Sequence, residues 1–157
     1  MIRTLVQTAP ALCAAALALF VALAGSLANA ADDAAVGYVK NVSGAAEVTH
    51  GGQTQSMSPG AALYVDDVIA TGTDGSFGIT LKDNTRISAG PNTRLQMKAF
   101  IFEPADGRLS SIIEMVKGTI LYISGTIAKL APEAAKIETP RGTIGVRGTR
   151  FLVRVGE

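Results

Sequence analysis

After about residue 30, apolar and polar positions alternate with a period of two, in short runs broken by glycine, proline, asparagine and aspartate. That pattern predicts many short β-strands. Residues 36–42 read as a first strand. Residues 45–49 face residues 53–57 across Gly51-Gly52, a pair suited to the positive φ angles of tight hairpin turns. Residues 63–71 form a strand interrupted at Asp66-Asp67. Phe77, Ile79 and Leu81 alternate with small or polar residues, and Asp83-Asn84 turns the chain into residues 85–88. Gly90-Pro91-Asn92 supplies another turn before Leu95 and Met97. Residues 100–102 and 109–116 flank a loop at 103–107 that carries an Asp-Gly turn. Two more strands are predicted at 119–123 and 126–130, entered through Gly118 and Gly125, and one helical turn at 131–136 with Pro132 near its start. In the last segment Phe151, Val153 and Val155 fall on one face and Arg150, Leu152 and Arg154 on the other, as in a half-buried strand. The fold class is therefore all-β, a single domain of many short strands. A solenoid-like roll and a β-sandwich both fit this spacing. Three Gly-Thr-Ile triplets, at Gly118, Gly125 and Gly142, are too irregularly spaced to form a repeat.

The first 30 residues follow a different pattern. Of these, 22 are apolar, against 53 of the remaining 127. Arg3 precedes an apolar run over residues 9–24, and Ala28-Asn29-Ala30 forms a small-residue exit. This is the layout of a secretory signal peptide over residues 1–30, cleaved between Ala30 and Ala31, with the domain over 31–157 and its core at about 36–155. An uncleaved segment is the alternative, anchoring the chain in the inner membrane, although spanning helices usually need about 20 apolar residues. Cys13, the one cysteine, lies inside the run, so the exported chain would hold no disulfide, no thiolate nucleophile and no Cys-ligated metal. Removing Arg3 leaves equal numbers of acids and bases, which argues against a whole-domain nucleic-acid binder. That neutrality hides a polarity. Residues 31–83 carry a net charge of −5 and residues 84–157 a net charge of +5. Arg141, Arg147, Arg150 and Arg154 mark the basic end as a candidate surface for an acidic partner.

Candidate catalytic and metal-binding chemistry is sparse. His50, the single histidine, precedes the Gly51-Gly52 turn and reads as a solvated turn residue. Asp66 and Asp67 are adjacent, so on a strand their side chains diverge, whereas paired-carboxylate hydrolysis needs convergence. One of them is expected to cap the local backbone and break the strand. No calcium-loop spacing is present. Gly142, Gly145 and Gly148 recur among arginines but match neither the dinucleotide fingerprint nor the P-loop, and a strand rather than a helix follows them. They read as turn glycines or as sites of close backbone approach. No catalytic, cofactor or metal residue is assigned, and no cofactor is implied.

The segment Thr139-Pro140-Arg141-Gly142-Thr143-Ile144-Gly145-Val146-Arg147-Gly148-Thr149-Arg150-Phe151 resembles the signature of the FecR domain, a bacterial envelope module. Gly37-Tyr38-Val39, residues 63–72, residues 81–88, residues 91–95, Lys117-Gly118-Thr119 and residues 124–129 support the resemblance, which spans nearly all of residues 36–155. Asn84 stands where the family usually has glycine, a turn position that asparagine also accepts. The namesake regulators add a cytoplasmic segment that contacts a sigma factor and then a membrane helix. Here an export signal is expected at the start, so the resemblance implies the envelope-side module and a solenoid-like β fold. The expected function is that of a non-enzymatic periplasmic or secreted protein for protein interaction, sensing or signal transduction, with another envelope protein as partner. Because little chain follows the motif, the last strand is expected to be an exposed edge or to await a partner strand. The alternative is a cell-wall or glycan-binding module, for which Tyr38, Tyr64 and Tyr122 are the stacking tyrosines.

Overall fold

The computed structural model describes residues 34–156; the expected signal segment, with Cys13 and the Ala28, Ala30 and Ala31 cleavage site, lies outside them. Among the described residues twelve strands form one sheet. They are β1 (Gly37–Ser43), β2 (Ala46–His50), β3 (Gln53–Ser56), β4 (Ala62–Leu63), β5 (Val68–Thr71), β6 (Ser76–Leu81), β7 (Arg86–Ala89), β8 (Arg94–Glu103), β9 (Arg108–Ile123), β10 (Ala135–Thr139), β11 (Gly142–Gly145) and β12 (Arg150–Val155). A five-residue helix, α1 (Thr126–Leu130), follows β9. The sheet curls into a half-barrel with two arms, in the order β3-β2-β5-β8-β9-β7-β6-β1-β4.

The 16-residue strand β9 belongs to both arms. Its first half pairs with β8 and, in parallel, with β10; its second half pairs with β7 and β12. Elsewhere the chain crosses repeatedly from arm to arm, keeping only the hairpins β2–β3, β6–β7 and β10–β11 within one arm: β1 pairs with β4 and β6, whereas β2 pairs with β3 and β5. The all-β class and the roll of short strands hold. All ladders except β9–β10 are antiparallel, so the roll is a curled sheet that the chain repeatedly crosses.

Each arm turns one set of alternating residues inward. Phe77, Ile79, Leu81, Ile87, Ile120 and Tyr122 from one arm meet Val48, Ile69, Leu95, Met97, Ile113 and Met115 from the other, all buried. Burying each such side chain contributes about 1.5–3 kcal/mol, which is what sets the register of so many short strands. The arm changes need tight corners. At Gly118, φ is +102° and an added Cβ would stand 2.4 Å from Thr93 Cα, so β9 bends there over the β7–β8 turn. The Thr119 N–H donates to Thr93 Oγ1 at 3.1 Å at the same corner.

The elements differ from the sequence expectation at four points. Residues 109–123 do not break into two strands, because a positive-φ glycine bends a ladder without ending it. The predicted strand at 126–130 is α1 instead. A five-residue helix is marginal alone, since the N–H groups of its first turn lack partners. Here the β6–β7 turn supplies them: Asp83 O accepts from Thr126 N–H at 2.7 Å, and Asp83 Oδ2 accepts from Ile127 N–H at 3.2 Å. The helical turn expected at 131–136 is a 3-10 turn at Pro132–Ala134. Finally, β10 and β11 form a hairpin that the apolar pattern did not predict.

Candidate interaction surface

His50 is not a free turn residue. Its Nδ1 lies 2.6 Å from Asp67 Oδ1, and its ring meets Tyr64 at a centroid distance of 4.9 Å. Asp67 is buried and also accepts the Tyr64 N–H at 2.8 Å through Oδ2. Asp66, at φ +67°, points to solvent. The two carboxylates therefore diverge, and Asp67 caps the turn between β4 and β5 as expected. The His50–Asp67 contact holds the β2–β3 hairpin onto that turn. Among the described residues no group of three His, Cys, Asp or Glu side chains is placed to hold a metal ion.

A second polar node lies under the basic end. Asp83 is fully buried; Oδ1 accepts the Thr85 N–H at 3.0 Å and Oδ2 the Thr85 hydroxyl at 2.8 Å. Thr85 Oγ1 in turn accepts the Gly125 N–H at 3.1 Å. Tyr122 sits beside this node, and burial pushes its phenol above the usual value; the Thr85 hydroxyl opposes the shift and the Asp83 charge adds to it.

The motif over residues 139–151 is built on these supports. Thr139 and Gly142 face each other across the two-residue Pro140-Arg141 turn. The Thr139 hydroxyl closes the turn by donating to Gly142 O at 2.8 Å and accepting from the Arg141 N–H at 3.3 Å. Val146 is fully buried and its N–H bonds Ala135 O. Phe151 stacks on Tyr122 with ring centroids 5.2 Å apart. Between these two anchors Arg147, Gly148, Thr149 and Arg150 face solvent. The Ser124 hydroxyl donates to Gly148 O, and the Ser124 N–H to Thr149 O at 3.0 Å. Two apolar anchors thus pin the loop and leave its arginines outside. Gly142 (φ +149°) and Gly148 (φ +154°) adopt backbone conformations that favour glycine, and among the described residues nothing lies within 4 Å of where their Cβ atoms, or that of Gly145, would stand. The turn reading fits; close approach does not.

All four arginines singled out from the sequence are exposed. Arg141 and Arg154 line one shallow depression of about 130 Å³, with Thr139 and Ile144 on the β10–β11 side and Val153, Val155 and Gly156 on the β12 side. Arg150 and Arg154 share the outer face of β12 and flank Leu152, which is 63% exposed. Arg147 stands in the loop before them. None of the four makes an ion pair with a described residue. Arg86, which the motif did not mark, extends the row, since Arg86 and Arg150 both pair with Ile123 from opposite sides. Its signal in the sequence is its outward place in the alternating run at Thr85–Ser88, legible once the strand order is known.

A family model described as FecR protein matches residues 67–157, more than half of the chain. No curated protein and no solved structure matches it.

Proposed function

The chain belongs to the FecR protein family, a family of envelope-associated signal-transduction regulators, and on that premise we propose that it is a non-enzymatic interaction module of the bacterial periplasm. Its docking surface is the arginine-rich end formed by Arg141, Arg147, Arg150 and Arg154, and its partner is another envelope protein with an acidic face. The observation that carries this reading is the set of four exposed arginines with no carboxylate partner among the described residues, held out by the buried Val146 and the half-buried Phe151. Cations of this kind accelerate and select acidic partners more than they stabilise the domain that bears them. Signal transduction then consists of occupancy of this end.

One observation favours binding over catalysis. The His50 Nδ1 is engaged by a buried carboxylate that is itself committed to the Tyr64 backbone. Wall or glycan binding has less support, because Tyr122 is buried and Tyr64 lies against His50, leaving Tyr38 as the exposed tyrosine. The test is recovery of partners from envelope extracts by wild type and by an Arg147→Glu/Arg150→Glu variant. Loss of a partner with the variant is expected; identical recovery would overturn the surface. Sedimentation with peptidoglycan addresses the wall reading, and a chain left wholly in the supernatant excludes it.

A further inference from the structure

We infer that the free edge of β12 takes up an extended acidic segment of the partner as an added strand, in the pattern acid, apolar, apolar, apolar, acid. This rests on the docking reading above and specifies how the basic end is occupied.

The backbone determines which groups are available. Among the described residues β12 pairs with β9 alone, in a register that sets Arg150 opposite Ile123 and Val155 opposite Gly118. The Ser124 N–H donates to Thr149 O, so residues 149 and 124 form a hydrogen-bonded antiparallel pair. Such pairs alternate along the ladder. Phe151, Val153 and Val155 therefore turn their N–H and C=O groups toward β9, and Arg150, Leu152 and Arg154 turn theirs away from it. No bond from those outward groups to a described residue accompanies them. An edge of this kind is a template for a further strand.

The side chains determine what that strand must carry. Residues paired across a ladder project to the same face. An added strand sets its residues opposite Arg150 and Arg154 beside two unpaired guanidinium groups, which calls for carboxylates, and its residue opposite Leu152 beside an exposed apolar side chain. The two intervening residues face inward, over Phe151 and Val153 and toward the depression that Ile144 and Val155 help to line, which calls for apolar groups.

A second copy of the chain fits poorly. The register that overlaps two β12 strands antiparallel about Leu152 sets Arg150 against Arg154, like charges directly opposite. Of the other exposed edge strands, β3 reads Gln-Thr-Gln-Ser and β11 Gly-Thr-Ile-Gly, and neither offers a carboxylate.

The test uses the purified protein and a capped synthetic peptide, Ser-Glu-Val-Ile-Val-Glu-Ser, with its Glu→Lys counterpart as control. Amide hydrogen exchange by NMR is the readout. The amides of Arg150, Leu152 and Arg154 are expected to exchange fast in the free protein and to become protected when the acidic peptide binds. Binding is expected to weaken at least about tenfold with Arg150→Glu/Arg154→Glu and on raising the salt from low to molar concentration. Leu152→Pro removes an outward N–H while leaving the β9 ladder intact, a placement that edge strands tolerate. It should abolish protection of Arg150 and Arg154 without unfolding the domain. Peptide binding that leaves these three amides unprotected, or that Leu152→Pro leaves unchanged, overturns strand addition. A dimer of the purified protein that Leu152→Pro dissociates would assign the edge to a second copy and overturn it also. If partner recovery from extracts depends on the arginines while the peptide fails, docking stands and strand addition alone falls.

Discussion

Single buried polar groups decide several local outcomes in this small roll. Asp83 is the clearest, since one carboxylate satisfies Thr85 and Ile127 while its own backbone oxygen takes the Thr126 N–H. Replacing it by asparagine keeps the shape but removes an acceptor and the charge that strengthens three bonds. Asp83→Asn is expected to lower stability by about 2–4 kcal/mol, read from the urea midpoint. Tyr122 gives a pH signature. Burial raises its folded value above the ordinary one of about 10, so below that pH both states keep the phenol protonated and lose nothing. As pH climbs past the unfolded value, the unfolded chain releases the proton first, and stability falls through the raised folded value. Tyr122→Phe is therefore expected to flatten the alkaline limb: the gap between variant and wild type, measured by denaturation at neutral pH and again above pH 10, should shift in favour of the variant. A gap that does not change with pH would count against burial of the phenol. His50 shows a residue whose context was hidden, because nothing in the spacing from His50 to Asp67 announces that a hairpin and a turn will meet.

Among the elements, β9 does the most organising. Its pattern of inward residues runs Ile113 and Met115 in one arm and Ile120 and Tyr122 in the other, and the change of phase falls at Gly118. A Cβ there meets Thr93 backbone, and φ is one that other residues rarely adopt. Gly118→Ala is expected to cost more than about 2 kcal/mol in an equilibrium unfolding measurement, whereas the same change at Gly145, open to solvent and extended, should cost less than about 1 kcal/mol. Equal costs at the two sites would contradict the bend. The final strand was plain in the sequence, with Phe151, Val153 and Val155 inward and Arg150, Leu152 and Arg154 outward as alternation requires. α1 was not, because residues 126–130 have no strong local preference and the groups that cap the helix come from Asp83 and Thr85, some 40 residues earlier.

At the scale of the molecule, the acidic and basic halves of the sequence are not two halves of the fold, since each arm draws strands from both. The basic excess instead gathers where β10, β11 and β12 close one side of the roll. Because its arginines are exposed and make no ion pair with described residues, reversing Arg141, Arg147, Arg150 and Arg154 together to glutamate should change stability by less than about 1 kcal/mol while abolishing partner capture. A large fall in thermal midpoint would mean that these cations support the fold. The sequence by itself determined the all-β class, most strand positions, the turns at Gly51-Gly52, Asp83-Asn84 and Gly90-Pro91-Asn92, and the family signature, because alternation and turn chemistry are local properties of neighbouring residues. Only the tertiary structure decided that residues 109–123 are one bent strand shared by two arms, that residues 126–130 are a helix, that His50 meets Asp67, and that β12 presents its outward backbone at a free edge. Each of these rests on groups brought together across dozens of residues, where pairing between distant strands, rather than any local preference, selects the conformation.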